Sequence, residues 1–291
     1  MIKGSSAVVA AGEDIRERDN GEIHFVAYLS PSIPQALFEA LADHTQRALG
    51  NERVSLRVET RVSGPHKGGE CSSFGDEADV AFICALSFVW LRELRPPPVD
   101  LLGVLPVFDD ERNLGRPVYF CDVVVRNDGP IRSFSGLEGG SWAYNDACSL
   151  SGYYSLLKKL AESGADEGFF DSVFCSGSHL NSIEAVVNGE ADAAAIDSNV
   201  LRIRFREAPA LRERLRVIES WGPFPIQPVV VRSALHPGLK VRLRAAFLAT
   251  HDDQRTHRIL KRFGLSRFVA AGQEVYSLDA HKDLAALLAA T

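Results

Sequence analysis

The chain has 291 residues and a formal net charge of −6, with 46% hydrophobic and 24% charged residues. These proportions are typical of a globular protein, and the acidic balance disfavours a general nucleic-acid binder, which would carry a basic surface. The five cysteines include no Cys-x-x-Cys pair, so the sequence predicts no zinc site and indicates no other metal or cofactor.

The N-terminal residues contain only a short apolar run before the charged stretch at 13–19. A secretory signal needs a longer apolar core, and no segment of the chain approaches the ~18 apolar residues of a membrane helix. We therefore expect no membrane insertion. We also expect a cytoplasmic protein as the sequence stands, or a periplasmic one if a signal has been removed.

Strand and helix patterns alternate along the rest of the chain. The predicted strands lie at 23–29, 53–60, 80–84, 101–108, 119–125 and 227–232. Helical spacing of apolar residues follows several of them, first after Pro31 and Pro34 and again from Tyr153 to Glu162. The tail from 239 to 288 is predicted to be largely helical. Such alternation indicates an α/β fold with mainly parallel sheets.

The order of these elements predicts two lobes. Residues 1–108 with 224–291 are expected to form lobe 1, and residues 109–223 lobe 2. The chain would pass between the lobes twice, near 105–115 and near 216–226. Since ligands of open α/β sheets bind at the carboxyl ends of strands, a cleft between the lobes is the expected site.

A cluster of small hydroxyl residues precedes the helix at 153–162. Ser149 and Ser151 flank Leu150, and Gly152 follows. A helix start presents unpaired N–H groups and a partial positive charge, and serine hydroxyls can add donors. The pattern is compatible with a site for a small anion, although ordinary helix capping is the more common explanation of a lone Ser-x-Ser-Gly motif.

Two further segments follow at close spacing. One runs from Cys175 to Glu184 and contains Ser176-Gly-Ser-His179, and the other runs from Asn188 to Ser198. Together with Asn145-Asp-Ala-Cys-Ser-Leu-Ser-Gly-Tyr153, they resemble the phosphonate/phosphite/phosphate-binding proteins of ABC importers. That family is a branch of the type 2 periplasmic-binding-protein superfamily. The resemblance extends over roughly residues 22 to 275, including the strand-like segments at 79–84 and 119–126.

The resemblance implies a two-lobed fold joined by two crossing segments, and it implies roles for particular residues. Ser149 and Ser151 would hold the oxygens of the anion, with Leu150 contributing only its backbone N–H where the family often has a hydroxyl. His179 would contact the same oxygens. Asp197 would face the other end of the ligand, which is often a cationic amine.

The same resemblance places two aromatic residues of lobe 1 at the ligand. Phe88 stands where many members have a ligand-contacting tyrosine, and Tyr28 corresponds to the aromatic residue of the first strand-to-helix loop. Each candidate also has a structural explanation. His179 can form only local hydrogen bonds, Asp197 can cap the helix that starts at Ser198, and Phe88 lies in an apolar run that is typical of a core.

The resulting prediction is a binding protein that clamps a small phosphonate- or phosphate-like anion. Its partner would be an ABC permease or a sensor protein. The alternative is a cytoplasmic lyase- or dehydratase-like enzyme on the same fold. In that case Cys148, His179 and Asp197 would act as nucleophile, base and orienting group, with the thiol activated by the helix start.

Overall fold

Residues 21–65, 78–165 and 167–276 are described by a computed structural model of the chain. The predictions made for the N-terminal segment and for the tail beyond Tyr276 lie outside these residues, as does Cys71, one of the five cysteines. None of the helices in the described ranges combines the length and the apolar content that a bilayer crossing requires.

Strands and helices alternate over most of the described chain. The strands are β1 (Glu22–Ala27), β2 (Arg53–Val58), β3 (Val80–Phe82), β4 (Val99–Leu101), β5 (Val104–Phe108), β6 (Val118–Arg126), β7 (Ser141–Tyr144), β8 (Ser172–Cys175), β9 (Ala193–Asp197), β10 (Leu215–Pro225), β11 (Val229–Arg232) and β12 (Leu265–Ala270). The helices are α1 (Gln35–Leu49), α2 (Ala85–Glu93), α3 (Ser155–Ser163), α4 (His179–Asn188), α5 (Ser198–Glu207), α6 (Leu211–Arg214), α7 (Pro237–Leu248) and α8 (Gln254–Arg262).

Two five-stranded sheets define the two lobes. The sheet of lobe 1 has the strand order β2-β1-β3-β11-β4, and the sheet of lobe 2 has the order β10-β6-β9-β7-β8. A separate two-stranded ribbon pairs β5 with β12. The strand β12 is a departure from the largely helical tail that the sequence predicted.

The two-lobed α/β architecture is confirmed, but the sheets are mixed rather than mainly parallel. Each five-stranded sheet contains two parallel and two antiparallel pairings. The reason lies in the crossings. The strands β6 and β11 each begin at the cleft, where the chain has just passed between the lobes. Their neighbours end at the cleft, so these pairings are antiparallel.

The second crossing is shorter than the sequence indicated. Residues 215–225 form the edge strand β10, which pairs with β6 with two register irregularities, and only residues 226–228 connect it to β11. Gly222 and Pro223 made this segment look like a connection, but an edge strand tolerates such residues because one side of it has no partner strand. The first crossing runs through residues 109–117.

The core forms because apolar residues face inward at the spacing of each element. In α1, the side chains of Leu37, Phe38 and Leu41 lie on one buried face. Each such burial stabilises the fold by ~1.5–3 kcal/mol. All five residues of β9 are buried, which is expected for a central strand of a sheet that is covered on both faces.

Strand direction brings the candidate residues together. In lobe 2, β7, β8 and β9 are parallel, so the segments that follow them meet at one edge of the sheet. These segments carry Ser149, His179 and Asn199. In lobe 1, the parallel strands β1 and β3 end next to Tyr28 and Cys84 at the facing edge.

Candidate functional site

A small cavity lies between the facing edges of the two lobes. Its volume is about 50 Å³, and residues of both lobes and of the second crossing line it. At ~10–15 Å³ for each water molecule, this volume holds three to five waters, which matches an ion of about five heavy atoms. The polar lining includes Tyr28, Thr60, Ser63, Tyr119, Asn145, Asp146, Ser149, Ser151, Ser178, His179, Asp197 and Gln227.

The first group of lining residues belongs to a π-helical turn, Leu150–Tyr154, that leads into α3. Ser149 caps this turn, because its hydroxyl oxygen accepts a hydrogen bond from the N–H of Gly152 at 3.0 Å. The hydroxyl proton of Ser149 remains available for another acceptor. Ser149 therefore both caps the turn and lines the cavity.

Ser151 is joined to the first residue of α4. Its hydroxyl lies 3.1 Å from Nε2 of His179, and Tyr119 lines the same cavity. Burial lowers the pKa of His179 to about 3, so the imidazole is neutral at physiological pH. Within the described residues, Nδ1 of His179 is buried and has no hydrogen-bond partner.

Asp197 ends β9 and caps α5. Its Oδ1 accepts hydrogen bonds from the N–H groups of Asn199 and Val200, at 2.7 and 3.4 Å. Its Oδ2 accepts one from Nε2 of Gln227 at 2.5 Å. Burial raises the pKa of Asp197 to about 6, although these donors favour the charged form and oppose the shift.

Direct contacts join the two lobes around the cavity. The hydroxyl of Ser63 in lobe 1 lies 3.2 Å from Oδ1 of Asp146, which also accepts the N–H of Cys148 at 2.8 Å. The N–H of His179 donates to Oγ of Ser32 across the cleft at 3.2 Å. These bonds show the lobes in a closed arrangement.

The structure brings most of the predicted residues together. Ser149, Ser151, His179, Asp197 and Tyr28 all line the cavity. Leu150 and Phe88 are not among its lining residues.

Both of those side chains are buried in the apolar core. Leu150 is only 1% exposed. Phe88 packs edge-on against Tyr276, with ring centroids 5.2 Å apart. The apolar run around Phe88 is thus explained by core packing.

Several lining residues were not assigned from the sequence. Asn145 and Asp146 belong to the motif that precedes α3, and their position directly after the strand β7 is a local signal for site residues. Ser63, Tyr119 and Gln227 carry no local signal. They reach the cavity only because the loop after β2, the first residues of β6 and the second crossing converge there.

The structure contradicts the residue set of the enzyme alternative. Burial raises the pKa of Cys148 to about 12, so this thiol is not activated by the helix start. The imidazole of His179 pairs with Ser151 rather than with a thiol, and Asp197 pairs with Gln227. A nucleophile, base and orienting group are not assembled from these three residues.

A family model for the periplasmic substrate-binding proteins of phosphonate ABC transporters matches residues 23–276. The chain belongs to this family. It is therefore a substrate-binding protein, and its natural partner class is an ABC transporter.

Solved structures of other binding proteins share the fold at low sequence identity. A binding-protein component of an ABC phosphonate transporter from Pseudomonas aeruginosa has a TM-score of 0.77 at 18% identity, with 93% of this chain and 87% of that one covered. A protein from Prochlorococcus marinus in complex with methylphosphonate has a TM-score of 0.75 at 18% identity, with coverage of 92% and 99%.

A third solved structure carries a different ligand. A Xanthomonas citri protein bound to ATP has a TM-score of 0.64 at 19% identity, with coverage of 92% and 96%. The fold therefore occurs with ligands of very different size. Because the fold alone does not determine the ligand, the residues of this cavity do.

Proposed function

We propose that this protein binds a small phosphonate- or phosphate-like oxyanion between its lobes and delivers it to an ABC permease, without catalysing a reaction. The observation that carries the proposal is the cavity of about 50 Å³ between the lobes, which is lined by hydroxyls, an imidazole, two amides and two carboxylates. Its size suits inorganic phosphate, phosphite or methylphosphonate. The methylphosphonate complex of the Prochlorococcus relative supports this ligand class.

The anion is held by neutral donors in this proposal. Among the described residues that line the cavity, none is a lysine or an arginine. The proposed ligand contacts are the hydroxyls of Ser149, Ser151 and Tyr28 and the ring of His179. Buried, fixed dipoles stabilise an anion strongly, because little water competes with them and they need not reorganise on binding.

A calorimetric and thermal-shift panel tests the ligand class. The panel contains phosphate, phosphite, methylphosphonate, 2-aminoethylphosphonate, methanesulfonate and acetate at pH 7.5. At ~100-fold excess over its Kd, a bound ligand adds about 2.7 kcal/mol to the free energy of unfolding. Absence of binding to every phosphorus oxyanion would refute the proposal.

Substitution of Ser151 tests the site. We expect Ser151→Ala to weaken the best ligand about tenfold to hundredfold, as for a lost hydrogen bond to a charged group. The matched control is Ser163→Ala, which removes a hydroxyl that bonds only to the backbone at the end of α3. Unchanged affinity in Ser151→Ala would remove this serine from the site.

The compartment and the partner form the last part of the proposal. The family is described as periplasmic, and we propose that this member also receives its ligand outside the cytoplasmic membrane. Its partner would be a permease, with a sensor protein as the other candidate. Reconstitution with the permease and ATPase encoded nearest to its gene distinguishes the two, because only a transport partner gives ligand-dependent ATP hydrolysis and uptake.

A further inference from the structure

The carboxylate of Asp197 faces the cavity, yet both of its oxygens already have partners. Oδ1 accepts two backbone N–H groups at the start of α5, and Oδ2 accepts the side-chain amide of Gln227 at 2.5 Å. Asp197 itself is only 3% exposed. A ligand group that is to reach this carboxylate must therefore displace or pass the amide of Gln227.

The second crossing holds Gln227 in place. The N–H of Ile226 donates to the carbonyl of Pro117, at 3.2 Å. The carbonyl of Ile226 accepts the hydroxyl of Tyr276 at 2.6 Å. Pro228 follows and restricts the backbone of Gln227 to extended conformations. The amide is thus presented to Asp197 from a crossing that is fixed on both sides.

The hydrogen bond between Gln227 and Asp197 determines which ligand groups the cavity can bind. A buried carboxylate without a donor on its cavity side would bind an ammonium group strongly, through a charge-assisted hydrogen bond. In this protein a neutral amide occupies that position, and the same residue lines the cavity. Only the amide nitrogen can donate to the carboxylate, so the orientation of the Gln227 side chain is fixed as well.

We propose that Gln227 is a specificity-determining residue: by covering the carboxylate of Asp197, it restricts the site to oxyanions that carry no amine. This inference rests on the proposed function. It differs from the role that the family resemblance implies for Asp197, because here the carboxylate positions α5 and Gln227 rather than a cationic ligand group.

The first test uses Gln227→Ala with methylphosphonate and 2-aminoethylphosphonate, measured by calorimetry at pH 7.5. We expect the Kd of 2-aminoethylphosphonate to fall about tenfold or more relative to the Kd of methylphosphonate, as for a new hydrogen bond between charged groups. The double variant Gln227→Ala/Asp197→Asn should lose this shift. An unchanged ratio in the single variant, or a shift that persists in the double variant, overturns the proposal.

A second test does not depend on the folding of the alanine variant. Gln227→Ser is too short to reach Asp197 but remains polar, and it should shift the ratio in the same direction. Asp197→Asn, with Gln227 intact, should leave the ratio unchanged because the carboxylate is already covered. If Asp197→Asn selectively weakens 2-aminoethylphosphonate by about tenfold, the carboxylate binds the amine in the natural protein, and the inference fails.

Ligand binding by the natural protein distinguishes a failure of this inference from a failure of the proposed function on which it rests. If it binds none of the phosphorus oxyanions, the proposed function fails. If it binds methylphosphonate and the variants leave the ratio unchanged, only the role of Gln227 fails.

Discussion

At the scale of single residues, the site combines neutral hydrogen-bond donors with carboxylates. Asp146 and Asp197 both line the cavity, and the chain as a whole has a net charge of −6. Long-range attraction therefore does not bring the ligand in, and binding depends on donors within hydrogen-bonding distance. Both carboxylates accept donors from neighbouring residues, which reduces their repulsion towards an anion.

Asp197→Asn should change how stability depends on pH. Burial raises the pKa of Asp197 from 3.8 to about 6, so its contribution to stability is fully present below pH 3.8 and is lost as the pH rises through 6. A shift of about two units corresponds to ~3 kcal/mol. Asparagine can still cap α5, so the variant should gain about this much relative to the natural protein between pH 4 and pH 7.5.

Urea unfolding at several pH values measures this difference. A difference between the two proteins that stays constant from pH 4 to pH 7.5 would mean that Asp197 does not titrate in this window. Ligand-free protein is required, because a bound anion would add its own dependence on pH.

At the scale of elements, the π-helical turn before α3 depends on a close approach. A Cβ atom on Gly152 would lie 1.8 Å from Oδ1 of Asn145, well inside any allowed contact. The N–H of the same glycine donates to the cap Ser149. The glycine therefore allows the Asn145 side chain and the serine-rich turn to pack against each other.

Gly152→Ala should lower the free energy of unfolding by about 1–3 kcal/mol, because the side chain overpacks a buried site. It should also weaken ligand binding, since Ser149 and Ser151 flank the displaced turn. Gly136→Ala is the matched control, because its Cβ would have only ordinary contacts of 3.7 Å or more. Thermal unfolding and calorimetry of both variants check this prediction, and equal effects would contradict it.

A second element-scale feature joins the first crossing to lobe 2. The guanidinium of Arg112 bridges the carboxylates of Asp110 and Asp122, with closest distances of 2.7 Å to each. Both carboxylates are buried, and the hydroxyl of Ser220 donates a hydrogen bond to Asp122 at 2.6 Å. This cluster fixes how the crossing leaves the sheet of lobe 2.

Arg112→Met removes the shared cation and should cost about 1–3 kcal/mol of stability. Breaking a fully buried pair costs ~3–5 kcal/mol, and the expected value is smaller because the arginine side chain is 37% exposed. Arg126→Met is the control, since its pair with Asp128 is exposed and should contribute ~0–1 kcal/mol. Urea unfolding distinguishes them, and a loss no larger than that of the control would show that the bridge is not structural.

At the scale of the whole molecule, the two lobes are closed on each other. Hydrogen bonds from Ser63 and to Ser32 cross the cleft, and the rings of Trp90 and Tyr154 meet across it at 6.0 Å. In a two-lobed binding protein, a ligand that contacts both lobes shifts the equilibrium towards such a closed state.

Small-angle scattering should therefore give a smaller radius of gyration with saturating ligand than without it. Ser151→Ala at the same ligand concentration is the control, because it should bind less and close less. An identical radius for the natural protein in both conditions would show that closure does not depend on the ligand.

The sequence by itself determined the fold class, the family and the local motif. Alternation of strand and helix patterns predicts the two α/β lobes, the hydroxyl-rich helix start predicts Ser149 and Ser151, and the family resemblance adds His179 and Asp197. These features are local: a helix start, a cap and an amphipathic face depend on residues a few positions apart. The family model matches residues 23–276, a range that includes these segments.

Only the tertiary structure decided which residues complete the site. Gln227 and Asp197 are thirty positions apart and belong to different parts of the fold, and Ser63 meets Asp146 across the cleft. No local pattern encodes these contacts, because they depend on where the crossings place each strand end. The same holds for Phe88, whose apolar neighbours suit either a core or a ligand surface. The packing of its ring against Tyr276 places it in the core.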